Sequence, residues 1–246
     1  MKNFITHLSS LLLLALVTNS QAAVTYSAGH ADIGLEYGGP GTLAFHAHVH
    51  TGATVDCVPL IADDEYEPDD IVIAVSTSAF HTQNNNNDLV AGTGVIVGNG
   101  IWRLPESNNP ILPFIGFGAE ELTAADWSSN LTITLASIIS PSGNGHFSVY
   151  QSDGLGGWNF FMSTAVGGIT SADKVEIAAE GHDHFNMTFS EAGNWIVNLF
   201  ASGTHATDGL QTSNTYSFSF AVAPEPSRAL LSLIGFSMLC LRRRRA

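Results

Sequence analysis

The run Phe45-His46-Ala47-His48-Val49-His50 constrains this chain more than any other. Three histidines alternate with three apolar residues, and a strand sends successive side chains to opposite faces. Phe45, Ala47 and Val49 can then pack on a core. His46, His48 and His50 crowd together on the other face, where three imidazoles need polar partners. The preceding segment repeats the pattern. His30, Asp32 and Glu36 share one parity, and Ala31, Ile33, Leu35 and Tyr37 share the other. Gly38-Gly39-Pro40-Gly41 between them is a turn signal. The two segments predict a β-hairpin with Tyr37 opposite Leu43. That register sets His30 opposite His50 and Asp32 opposite His48, with paired Cβ atoms ~4.5–5.5 Å apart. A slip of one residue would face histidines with apolar side chains, so burial should enforce the register.

A second histidine run lies in Gly181-His182-Asp183-His184-Phe185-Asn186-Met187-Thr188-Phe189. The alternation predicts His182, His184, Asn186 and Thr188 on one face and Phe185, Met187 and Phe189 on the other. Neutral imidazole is the commonest protein ligand for transition metals. His30, Asp32, His48, His50, His182 and His184 are therefore the candidate ligands, with His46 and His205 behind them. His205 is expected in a loop near Asp208. Imidazole and carboxylate without thiolate favour Zn²⁺ and leave Mn²⁺, Cu²⁺ and Ni²⁺ open. The plainer alternative is that each run lies on a solvated strand face. His81 and His146 read as surface or packing residues.

A catalytic metal would also need an open coordination position and a nearby acid or base. Glu36 shares the face of the first strand, whereas Asp183 should point away from the paired histidines. There is no His-Glu-x-x-His, nucleophile elbow or glycine-rich phosphate loop. The sequence therefore reads as a metal-binding protein rather than an enzyme. The alternatives are a structural or adhesive matrix protein without metal and a metal-dependent hydrolase of extracellular polymer.

Both ends read as targeting sequence. Residues 1–23 combine Lys2, an apolar run from Leu8 to Val17, and small residues at Ser20, Ala22 and Ala23, the features of a signal peptide with its helix. At the other end, Pro224-Glu225-Pro226 precedes an apolar run from Ala229 to Leu241 and then Arg242, Arg243, Arg244 and Arg245. The run is short for a span, and the arginines hold that end in the cytoplasm. Residues 224–246 closely resemble the PEP-CTERM sorting signal of Gram-negative-type bacteria, with Arg228 as a departure that shortens the apolar stretch. The resemblance implies export, transient anchoring by a short transmembrane helix, and processing by an exosortase after signal peptidase has acted.

Residues 24–223 form one domain's worth of chain. Its basic side chains are Arg103 and Lys174 alone, against all but one of the 22 acids. So negative a domain argues against nucleic acid or an anionic membrane surface as partner, leaving membrane contact to the tail. It suits an exported protein that meets cations, and extracellular polysaccharide or matrix remain possible partners. Cys240 lies in the tail, so Cys57 has no disulfide partner in the domain and reads as a small buried hydrophobe.

The rest of the domain is strand-like. Ile71–Val75, Val95–Val97, Ile101–Leu104, Phe114–Gly118, Leu131–Ile138, Gly145–Tyr150, Trp158–Met162, Trp195–Ala201 and Thr215–Val222 are the expected strands, with Gly145–Tyr150 pairing Leu131–Ile138. Ala119–Leu122 and Thr123–Trp127 suggest one short helical turn. Asp63–Asp70 reads as a solvated acidic loop, and residues 81–88 as a polar loop. About ten short strands with regular turn signals predict an all-β fold, an antiparallel β-sandwich of immunoglobulin-like or related type.

In this order the domain resembles the choice-of-anchor M domain of bacterial surface-anchored proteins. Gly29–Gly34, His48-Val49-His50, Tyr66–Asp70, Trp102-Arg103-Leu104-Pro105, Gly181–Asn186 and Phe189–Gly193 carry the resemblance. Met187 departs from it, standing where a tryptophan is expected. The resemblance implies a surface protein joined to an anchor, and some relatives look associated with metal-uptake transporters.

Overall fold

The computed structural model describes residues 22–225. The expected signal peptide up to residue 21 and the expected sorting tail beyond Glu225, with their expected helices, lie outside the described residues. Among the described residues no helix is long and apolar enough to cross a membrane.

In chain order the strands are β1 (Val24–Glu36), β2 (Ala44–Val49), β3 (Thr54–Val55), β4 (Val58–Pro59), β5 (Asp64–Tyr66) and β6 (Ile71–Val75). Next come β7 (Phe80–Thr82), the helix α1 (Asn87–Thr93), β8 (Gly100–Leu104), β9 (Pro113–Gly118) and β10 (Leu131–Ile139). β11 (Phe147–Ser152), β12 (Trp158–Ser163), β13 (Lys174–Ile177), β14 (His182–His184) and β15 (Asn186–Phe189) follow. β16 (Gly193–His205), β17 (Gly209–Thr212) and β18 (Tyr216–Val222) complete the domain.

The strands form three pairing groups in a sandwich-like arrangement. The first runs β13-β10-β16-β18-β6-β1 and the third β12-β11-β15-β8-β7. The second runs β5-β2-β1-β9-β14 and carries both histidine runs. β6, β16 and β18 bury alternate residues, as strands with one solvated face must. Aromatic side chains fill the interior. Phe189 of β15 lies 5.4 Å from Trp195 and 5.0 Å from Phe220, and Phe45 of β2 lies 5.9 Å from Phe218 (ring centroids).

The expectation of a purely antiparallel sandwich is corrected. β1 runs parallel to β6 and to β9, and β18 runs parallel to β6. Hairpins cannot make such pairs, which need long crossovers. β1 makes the largest departure, because it serves two sheets. Val24–Tyr26 pair with β6, whereas residues from Gly29 onward pair with β9 and from Ala31 with β2. Gly29 sits at the switch with φ +90°, and a Cβ there would lie 2.6 Å from Ala53 Cα. Glycine alone meets both demands.

A second switch falls in the 181–189 run. β14 pairs with β9, whereas β15 pairs with β11 and β8. Phe185 is buried between them, packing on Phe117 and Phe161. Asn186 and Thr188 are therefore buried in the third sheet and do not share a face with His182 and His184. The expected pairing of residues 131–138 with 145–150 is also replaced. β10 lies between β13 and β16, and the turn after it carries the chain to the other sheet. Residues 95–97 form no strand, and α1 begins at the end of the expected polar loop and runs beyond it, capped by Asn86 and closed by left-handed Gly94. Cys57 is exposed in a tight turn at φ 65°, not buried.

Candidate metal centre

The hairpin adopts the register that parity demands. β1 and β2 pair from Ala31↔Val49 to Glu36↔Ala44, with Asp32 opposite His48 and the His50 amide donating to the His30 carbonyl at 3.0 Å. The pairings of β9, β14 and β5 extend this register into cross-strand rows. One row reads Glu65–His48–Asp32–Gly116–His184. Its neighbour reads His46–Gly34–Gly118–His182, and Phe114 is paired with His30 on the other side. Donors from four strands thus share one face, with the glycines of β9 between them, and Ile33, Phe45, Ala47, Ile115 and Phe117 cover the opposite, buried face.

The glycines make the room. A Cβ at Gly116 would lie 2.4 Å from Asp32 Oδ1 and 3.0 Å from His184 Cε1, and one at Gly34 would lie 2.6 Å from His46 Nε2. The larger side chains lie down over these bare strand positions and converge. His30 Nε2 and His50 Nε2 each stand 3.1 Å from Asp32 Oδ2. The rings of His30 and His50 stack at 4.0 Å. His184 Nε2 is 3.0 Å from His30 Nε2 and 3.9 Å from Asp32 Oδ1. His182 completes a set with His30 and His184. The donor atoms of His30, Asp32 and His50, and those of His30, His182 and His184, all lie within 4.8 Å of one another in each set.

Asp32 is 1% exposed. Burial alone would push its carboxyl up. The hydrogen bond and charge of His30, together with His184 and His50, outweigh burial and hold it below the usual carboxylate range. His184 moves the other way. Burial, with the neighbouring His30 and His182, outweighs the attraction of Asp32 and lowers its imidazole to about 4. His184 is thus neutral at neutral pH, the form that binds metal. Oδ1 of Asp32 and Nδ1 of His184 are buried without a hydrogen-bond partner.

Of the sequence candidates, His30, Asp32, His50, His182 and His184 meet here. His48 stands one step away, forming a set with His50 and Asp63. His46 belongs to a separate set. His205 is placed elsewhere. It is the last residue of β16 rather than a loop residue, and it packs on Tyr37 and Trp127 with Nδ1 3.1 Å from Asp208 Oδ2. It enters no candidate ligand set among the described residues.

Four carboxylates escaped the sequence reading. Asp63 and Glu65 belong to the run read as a solvated loop, but β5 adds to the edge of β2 with Glu65 opposite His48. The Thr51 hydroxyl and amide hydrogen-bond Asp63 Oδ1, holding its carboxyl down to about 2. Oδ2 is left 3.8 Å from His48 Nε2 and 3.7 Å from His50 Nδ1. Glu120 and Glu121 follow β9 in a turn clasped by Ala119, whose amide donates to Gly181 and whose carbonyl accepts from Glu180. Glu120 Oε1 is 2.6 Å from His182 Nδ1, and Glu121 Oε1 is 3.0 Å from His46 Nε2 and 3.3 Å from His48 Nδ1. The alternate acids Asp63, Glu65 and Glu67 were the available signal for the first pair. The second pair sits in an irregular turn and carries no periodic signal.

Comparison with protein-family models, with curated proteins and with solved structures finds no match for this chain.

Proposed function

We propose that this protein is an exported, surface-sorted β-sandwich that binds a divalent transition metal through His30, Asp32, His50, His182 and His184. One observation carries the reading. A nearly fully buried aspartate is ringed by three imidazoles, one of them from a strand more than 150 residues further along, and its second oxygen has no partner. The open oxygen of a carboxylate buried this way needs positive charge or a donor, and a bound cation would supply it. The donors are imidazole and carboxylate without thiolate, which fits Zn²⁺ best and leaves Cu²⁺, Ni²⁺ and Mn²⁺ open. Sorting to the cell surface rests on the sequence of the two ends and on the resemblance to choice-of-anchor M and PEP-CTERM proteins.

Elemental analysis of native, untagged protein tests the reading. Metal should be present in at least one equivalent, and Asp32→Asn and His184→Gln should each hold less than the parent. A protein that never takes up metal, with both variants folded and indistinguishable from the parent, would leave a structural or adhesive role instead.

A second reading has one observation behind it. An open depression lined by Glu106, Gln151, Ser152, His182, Asp183 and His184 adjoins the metal face. Turnover of an ester or polysaccharide, abolished by a chelator and restored by metal, would make the protein a hydrolase. We expect none, because the sequence carries no recognised hydrolase motif.

A further inference from the structure

The histidine face holds more ligands than one ion can use. Ten residues contribute to the close donor sets: His30, His182, His184, Asp32, His50, His46, His48, Glu65, Glu121 and Asp63. A transition-metal ion takes about four to six. The set of His48, His50 and Asp63 links two groups. His46, His48, Glu65 and Glu121 place their donor atoms within 4.8 Å of one another and share no residue with the sets around Asp32.

We propose that His46, His48, Glu65 and Glu121 hold a second divalent transition-metal ion, so that this face carries a two-ion centre. The inference rests on the reading of the face as a metal site, and it adds a separate ligand set.

His46 carries the argument. Its ring is 5% exposed, and neither ring nitrogen has a hydrogen-bond partner. Nε2 lies 3.0 Å from Glu121 Oε1 without the alignment of a hydrogen bond. A buried imidazole left in this state is costly unless something else meets its lone pair. It lines a small depression with Asp32, Gly34, His48, Gly118, Glu120 and Glu121. Gly34 is bare where the ring lies over it.

Charge points the same way. Asp32, Asp63, Glu65, Glu120 and Glu121 surround the histidines, yet the single Lys or Arg ion pair among the described residues is Lys174–Glu176, on β13 of another sheet. No lysine or arginine ion pair neutralises the face, which leaves that role to bound cations and to the histidines themselves. The two sets are joined by alternating groups. Glu121 faces His48 Nδ1, His48 Nε2 faces Asp63 Oδ2, Asp63 Oδ2 faces His50 Nδ1, and His50 Nε2 faces Asp32. Two carboxylates and two imidazoles make the second set richer in oxygen than the first, so it should accept Mn²⁺ more readily.

The test is metal stoichiometry by equilibrium dialysis of the purified protein against Zn²⁺, and separately Mn²⁺, with elemental analysis. Glu65 and Glu121 are exposed, so Glu65→Gln and Glu121→Gln should fold. The parent should bind two equivalents. The double variant should retain one, its second step weakened beyond the roughly 10–100-fold that loss of an outer partner costs. Asp32→Asn should lose the other equivalent and keep the one held by Glu121. One equivalent in the parent overturns the proposal while leaving the first site standing. Two equivalents unchanged in the glutamine variants also overturn it, since the second ion would lie elsewhere. No metal in the parent overturns both readings.

Discussion

Asp32 and Asp173 are both buried, at 1% and 8% exposure, and the fold treats them in opposite ways. Asp173 closes its own turn. It accepts from the Ser163 amide at 2.7 Å through one oxygen, and from the Thr170 amide and hydroxyl at 2.7 and 3.0 Å through the other. Both oxygens are satisfied by neighbouring donors, and nothing further is required. Asp32 accepts from no backbone amide. Its contacts are imidazole nitrogens, and Oδ1 has no hydrogen bond at all. A carboxylate that serves the fold finishes its hydrogen bonding within the fold. One that is left open on a face of histidines is arranged for a cation. The same contrast holds between regions. Among the described residues, four of the six buried side-chain atoms without partners belong to Asp32, His46 and His184.

The largest effect that can break this comparison is metal-linked stability. Zn²⁺ at about a thousand times its dissociation constant should stabilise the parent by about 4 kcal/mol. A chelator should reverse the shift, read by urea unfolding. Asp32→Asn should lose the share of the ion held by Asp32, and its metal-free stability should fall, because the imidazoles no longer face a carboxylate. Asp173→Asn should keep the full shift. A metal-induced shift as large in Asp32→Asn as in the parent would end the distinction between the two aspartates.

The converse effect is smaller. Asp173→Asn turns an acceptor-only group into one that presents a donor to the Ser163 or Thr170 amide. Metal-free stability should fall by about 2 kcal/mol, the range for hydrogen bonds to charged groups. Metal content should be unchanged.

Acid sharpens the contrast further. The folded His184 imidazole is lowered from 6.5 to about 4. Between those values the unfolded chain takes up a proton that the folded chain refuses, so metal-free stability falls as pH drops from 6.5 to 4. Asp32 acts lower. Its folded carboxyl is held below the usual range, so its contribution is present above the unfolded value of about 3.9 and is lost as pH falls through the folded value. Unfolding measured in chelator across pH 4–7 should show a shallower decline in His184→Gln than in the parent. Equal slopes would mean that His184 does not bury its neutral form.

Much of this face was legible because it follows period-two alternation. The parity of 30–36 against 44–50 determines which histidines lie opposite which partners, and β1 and β2 pair in that register. What alternation cannot reveal is where a strand changes sheet. Phe185 continues the pattern of 181–189 without interruption, yet the chain crosses there from β9 to β11, because Phe185 itself is buried between the two sheets. The parallel pairs of β1 and β18 with β6 are equally silent, since parity is the same in either direction. The acids were hidden by composition. Asp63 and Glu65 sit in a run of acids that resembles a solvated loop, and only the edge of β2, a feature of the assembled sheet, recruits them. His205 misled in the opposite sense. It stands beside Asp208 as a ligand would, but its surroundings are aromatic.

His205 supplies the smallest effect and a control for the rest. Its ring is held between Tyr37 at 4.9 Å and Trp127 at 5.4 Å, with Thr207 and Asp208 on Nδ1. Tyr37 donates to the same Asp208 at 2.7 Å. The cluster ties the end of β1 to the end of β16 through groups that already satisfy one another. His205→Gln should therefore cost no more than about 1 kcal/mol, the worth of one ordinary hydrogen bond. Metal stoichiometry and the metal-linked gain in stability should match the parent. A histidine beside a carboxylate is then not enough to make a ligand in this protein. Only the glycine-floored face, where buried donors are left without partners, should respond to metal, and a drop in stoichiometry in His205→Gln would refute that rule.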